Sequence, residues 1–149
     1  MTKGIKIIIF LFIVFIIFLL FAKKYSNKDF KYLDIKIGQA PLRVALADNV
    51  FLRKQGLSGK ENLEKDQGML FIFKVPLKYS FWMKGMRFSI DVIWINKDKK
   101  VIGFNEDIKK DFSKLIKPPG KVKYVLETKD GFVAKNKIKI GDELIFKNY

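Results

Sequence analysis

The chain has 149 residues, with 30 lysines and arginines against 15 acids for a formal charge of +15, and it contains neither cysteine nor histidine. That length accommodates one compact domain, since a single core takes roughly 100 to 150 residues. Without cysteine or histidine there are no disulfides, no thiol or imidazole catalysis and no ordinary zinc ligands. Any chemistry rests on carboxylates, lysines, hydroxyls or backbone groups, and no cofactor or metal is expected.

Residues 1–6 form a short basic amino terminus with Lys3 and Lys6, and residues 7–22, IIIFLFIVFIIFLLFA, are apolar without a break before Lys23 and Lys24. As a helix this run rises about 24 Å, somewhat short of a hydrocarbon core of roughly 30 Å, and flanking Ile5 and snorkelling Lys6 extend it. A signal peptidase needs small residues at the last and third-last positions, and Leu20 occupies one of them. The segment therefore reads as an uncleaved transmembrane signal anchor, with a cleaved signal peptide as the alternative. Lysines are denser after the run than before it, which counted alone puts the domain in the cytoplasm, although long following domains translocate largely regardless of charge.

Residues 23–31, KKYSNKDFK, read as a lysine-rich tether, and residues 32–149 as the soluble domain. Period-two alternation at Ile35/Ile37, Leu42/Val44/Leu46 and Val122/Tyr124/Leu126 predicts strands, as does the apolar run Met69–Phe73. Asp48 or Asn49 caps a short helix over VFLRKQ that Gly56 ends, and Ser58 and Glu61 follow in capping-box spacing. Met86, Phe88, Ile90, Val92 and Trp94 alternate with Arg87, Ser89 and Asp91, predicting a long strand with Gly85 as a bend before it. Ile108, Phe112, Leu115 and Ile116 fall at helical intervals before Pro118-Pro119 and predict an amphipathic helix. The segment after Asp130-Gly131 fits a hairpin arm or a helical turn, and Gly141-Asp142 suits a tight turn between the strands IKI and ELIF. These signals define a β-rich α+β fold: one small domain, a partly closed β-barrel with two or three short helices, preceded by the membrane helix.

Asp91 stands out because it sits inside an apolar strand. It fits a solvent-facing residue on a one-sided sheet, a buried carboxylate accepting backbone N–H bonds, or an acid facing a ligand in a cleft. The order of motifs extends the reading: Arg53 with Gly56-Leu57, then GMLFIF from Gly68, FWMK, IDVIWI, YVLETKDG and IGDELIF. In this order they resemble the domain of unknown function family 192, over about residues 42–146. The resemblance selects Arg53, Gly56, Gly68, Met69, Trp82, Met83, Asp91, Glu127, Gly131, Gly141 and Asp142 as candidate pocket or motif residues. After FWMK the family carries asparagine, threonine and proline where this chain has Gly85, Met86, Ser89 and Ile90, so any site those polar residues line in relatives is altered here. The family is small, β-rich and often preceded by a signal or membrane segment, which turns the sidedness outward. It transfers no activity.

Asp142 reads first as a turn-tying residue, and Trp82 and Met83 first as core, with ligand stacking as the alternative. Arg53 ends a short helix, with Glu127 or Asp91 as its proposed partner. Three function classes fit. The favoured one is a membrane-anchored, extracytoplasmic small-ligand or partner-binding module without catalytic residues. The second is a carboxylate enzyme pairing Asp91 with Glu127, which requires the two acids to converge roughly 5 to 9.5 Å apart; its version with a hard metal such as calcium or magnesium is disfavoured because the DxDxDG spacing of a calcium loop is absent. The third is a surface that holds a polyanion or anionic lipid through the lysine excess. Only three basic residues are arginine, and basic and aromatic residues are not interleaved, so nucleic acid is the disfavoured partner. The lysine-rich composition also fits the coding bias of an AT-rich genome and a solvated surface.

Overall fold

A computed structural model describes residues 3–26 and 30–147. Helix α1 spans Lys3–Ser26 and so takes in the first residues assigned to the tether; tether residues 27–29, and 1–2 and 148–149 at the ends, lie outside the described residues. The apolar side chains Ile8 to Ile17 are all exposed, a run of about 15 Å at 1.5 Å per residue. The expected transmembrane helix over 7–22 is not met here: among the described residues no helix is long and apolar enough to cross a membrane.

Seven strands form one sheet in the order β5-β4-β6-β3-β2-β1-β7. They are β1 (Tyr32–Ile37), β2 (Ala40–Ala47), β3 (Gln67–Leu77), β4 (Ile90–Ile95), β5 (Val101–Ile108), β6 (Val122–Lys129) and β7 (Leu144–Phe146). Neighbours pair antiparallel except β2 and β3, whose parallel pairing needs a crossover; helix α2 (Val50–Gln55) and the loop to Asp66 supply it. The sheet curls until its edges meet at one corner, where the Leu144 N–H donates to Lys99 C=O at 2.8 Å and the Val101 N–H to Asp142 C=O at 2.9 Å. The expected partly closed barrel is thus a half-barrel.

Alternation sorts side chains onto two faces. Ile35, Val44, Leu70, Ile93 and Leu126 pack on the face that the curl encloses, together with Phe132 and Val133 of helix α3 (Phe132–Asn136). Ala47, Met69, Phe71, Val92, Trp94 and Val125 pack on the opposite face beneath Leu52 of α2, Leu57 and Met83. Strand β4, which lies between β5 and β6, is buried along its whole length on both faces, which is why its sequence is nearly continuous in apolar residues.

Four local expectations differ from what forms. The long strand from Met86 starts only at Ile90, because Gly85 turns the chain at φ +77° and the preceding backbone pairs elsewhere, Phe81 with Ile116. The helix expected over 108–116 does not form: Ile108 is held by β5 opposite Ile90 and Ile116 by Phe81, leaving Phe112 and Leu115 exposed. Ser58 caps nothing, its hydroxyl donating to Lys84 C=O at 2.8 Å. Gly141-Asp142 precedes β7 alone, since Ile138–Ile140 is not a strand. By contrast α2 forms as its signals predict: Asn49 Oδ1 accepts from the Leu52 N–H at 3.0 Å, and Gly56 ends the helix at φ +54°.

Candidate functional site

Asp91 is fully buried and points to the enclosed face, as its partner Thr128 on β6 does. Opposite it, β5 bulges: Ile90 pairs with Ile108 and Val92 with Asn105, so Glu106 and Asp107 together face one β4 residue. The bulge puts Asp107 at φ +49° and turns its N–H onto Asp91 Oδ1 at 2.8 Å. Asp91 Oδ2 accepts from the Val133 N–H at 2.9 Å, satisfying a donor in the first turn of α3, whose own N-cap, Gly131 at φ +78°, has no side chain to do so. An aspartate inside an apolar strand therefore ties a strand bulge to a helix start.

Asp142 has a similar local duty, its carboxylate accepting from the Lys139 N–H at 2.8 Å beside Gly141 at φ +94°. Gly68 is where backbones crowd: a Cβ there would lie 2.7 Å from Leu42 Cδ2 and 2.8 Å from the Glu127 carbonyl. Met69 and Met83 are core.

The remaining candidates converge elsewhere. Glu127 is opposite Met69 and Val92, hence on the face away from Asp91. The two carboxylates point to opposite sides of the sheet, which removes the paired-acid geometry. Among the described residues no cluster of acids could hold a metal ion. Glu127 instead lines a pocket of about 410 Å³ together with Arg53, Gly56 and Trp82, within the range of small-molecule sites. Phe71 and Phe73 of β3 and Phe81 of the following loop form its aromatic wall, with Phe81 edge-on to Phe71 at 4.9 Å between centroids. Gly56 lets the loop after α2 come close; even a Cβ would lie 4.0 Å from Glu127 Oε2.

Glu127 is buried, and its Oε2 has no hydrogen-bond partner. Burial pushes its carboxyl up to about 8, so the group is largely protonated at neutral pH. The expected Arg53 partnership with either acid does not form: among the described residues no ion pair includes Arg53. Its guanidinium donates to Ile72 C=O at 2.9 Å and lies 5.2 Å from the centroid of the Phe73 ring. Trp82, read first as core, is 52% exposed at the pocket.

Sequence reasoning missed Phe71, Phe73, Tyr79 and Phe81 as pocket residues. The period-two spacing of Phe71 and Phe73 with Met69 placed them on one face of β3, and that was the available signal. Met86, at a family-divergent position, adds an apolar side chain to the lining.

Fold and pocket together define a small half-barrel domain with an aromatic cleft over a buried acid. The chain belongs to the DUF192 family, described as an uncharacterized ACR, whose sequence profile matches residues 33–146. A putative transcription regulator from Sinorhizobium meliloti 1021 is similar at 26% identity and TM-score 0.77, over 80% of this chain and 97% of its own. A protein of unknown function from Novosphingobium aromaticivorans DSM 12444 shares the fold at 23% identity and TM-score 0.75, over 79% of this chain and 87% of its own. No curated protein matches the chain.

Proposed function

We propose that this domain is a small-ligand-binding module, held outside the cytoplasm on its amino-terminal helix. One observation carries the binding role: a carboxyl group buried at an open aromatic pocket with an oxygen left without a partner. Buried polar atoms are ordinarily paired, and leaving one unpaired costs about 1 to 3 kcal/mol, a cost that a bound molecule relieves. Among the described residues that line the pocket Glu127 is the one acid, so the paired-carboxylate chemistry that the enzyme reading requires has no second group there.

The anchoring rests on the apolar run between lysines and on the exposure of every described side chain from Ile8 to Ile17, a row of large apolar groups that water solvates poorly. The outward sidedness rests on the family's frequent signal or membrane segment. Binding is tested by titrating uniformly 15N-labelled protein in detergent with an aromatic fragment set. Backbone shifts centred on Gly56, Ser80 and Trp82, reduced in Trp82→Ala, are expected. Absence of any fragment that perturbs this cluster at millimolar concentration overturns the binding role. Retention of the chain in the membrane pellet after alkaline carbonate, with the domain cleaved by protease added outside intact spheroplasts, is the expected localisation result. Release by carbonate refutes the anchor, and protection from protease refutes the sidedness.

A further inference from the structure

The charges around the pocket narrow the class of ligand. Arg53 and Lys54 line it from α2 and Lys74 from β3, and Glu127 is the acid among its lining residues. Among the described residues, the other groups placed around Glu127 bring no second acid. Its β4 partner is Val92, the Tyr79 hydroxyl is engaged with Val75 C=O at 2.7 Å, and Lys129, two residues along β6, donates to Asn62 at 3.3 Å. Asp91 faces the other side of the sheet. Arg53 spends one of its five donors on Ile72 C=O, which leaves others to meet an acceptor.

Resting on the pocket reading above, we propose that the ligand is a flat, apolar organic anion: its ring body lies against Phe71, Phe81 and Trp82, and its acidic group meets Arg53, Lys54 and Lys74. Three cations and no ionised acid around one opening attract an anion and repel an amine. The aromatic walls take up the apolar body. The protonated Glu127 at the buried side offers an O–H without opposing the ligand's charge, and burial is what holds that proton in place. Binding and proton retention are then coupled. Ionising Glu127 sets a second negative charge within the same pocket, and affinity for an anion drops by roughly tenfold or more.

Three matched probes with one ring system test this on the full chain in detergent: 2-naphthoate, the neutral 2-naphthamide and 2-naphthylmethylammonium, each titrated calorimetrically. At pH 7 the naphthoate is expected to bind at least tenfold tighter than the amine. Its affinity is expected to fall about tenfold between pH 6.5 and 9, with the fall absent in Glu127→Gln. Lys54→Ala with Lys74→Ala should weaken the naphthoate severalfold and leave the amide unchanged. Equal binding of naphthoate and amide, or tighter binding of the amine, overturns the anion preference while the pocket stands as a binding site. If none of the three binds, or if Trp82→Ala leaves all three affinities unchanged, the pocket reading itself fails and the ligand class with it.

Discussion

Removing the Asp91 carboxylate tests whether it is structural, and its cost can be worked from its two bonds. In Asp91→Ala the Val133 N–H loses its acceptor in a buried setting, at about 1 to 3 kcal/mol. The Asp107 N–H is only part-buried, so water recovers some of its loss and it adds about 1 kcal/mol. The sum is about 2 to 4 kcal/mol against a typical total stability of roughly 5 to 15 kcal/mol. For a domain of this size that lowers the melting temperature by roughly 10 °C or more. Scanning calorimetry of the full chain in a mild detergent measures it, and Asp91→Asn, which keeps one acceptor oxygen, should fall between parent and alanine variant. Asp142→Ala, which gives up one exposed bond, is the control and should cost under about 1 kcal/mol. A melting temperature for Asp91→Ala within about 2 °C of the parent refutes the structural assignment, because two orphaned donors cannot be that inexpensive.

Other predictions follow from the same geometry. Glu127 titrates at about 8 in the folded protein and near 4.3 when unfolded, so between these values the native state holds the extra proton. Stability therefore falls as pH rises across that window, at most about 1.4 kcal/mol per unit; Glu127→Gln should flatten this slope in urea titrations at pH 5, 6.5 and 8, and a parallel slope would show that Glu127 is not its source. Gly68→Ala drives a methyl to within 2.8 Å of the Glu127 carbonyl and 2.7 Å of Leu42 and should destabilise by about 1 to 3 kcal/mol in the same assay. Trp82→Ala and Met83→Ala separate two adjacent residues: the exposed tryptophan should cost under about 1 kcal/mol, whereas the buried methionine should cost about 2 to 5 kcal/mol. Equal losses for the two would place Trp82 in the core.

Most of the strands were legible because their patterns are local. Leu42, Val44 and Leu46 alternate toward one face whatever surrounds them, and Asn49 and Gly56 set the ends of α2 by their own chemistry. The stretch Ile108–Ile116 failed because its helical spacing competes with two non-local pairings, to Ile90 and to Phe81, that no window of sequence displays. Gly85 carried a bend signal, yet the apolar alternation from Met86 onward obscured it. The site divides along the same line. Family motifs named Arg53, Gly56, Trp82 and Glu127, but only the β3–β6 register together with the return of α2 over the sheet brings them to one opening.

The two acids of the motif set show why a shared pattern does not imply a shared role. Asp91 and Glu127 lie on adjacent strands one register step apart, since Val92 is opposite Glu127 and Asp91 opposite Thr128. One step along a strand exchanges one face for the other. That single step places Asp91 among backbone donors on the enclosed side, where a helix start and a strand bulge satisfy both of its oxygens. It places Glu127 beneath aromatic rings on the other side, where Oε2 finds no donor and burial holds the proton on. A satisfied carboxylate contributes to folding, whereas an unsatisfied one costs stability that folding alone does not recover. The proposed ligand therefore has its polar partner in Glu127, whose Oε2 the fold leaves unpaired at the pocket, and not in Asp91, whose two oxygens the fold already satisfies.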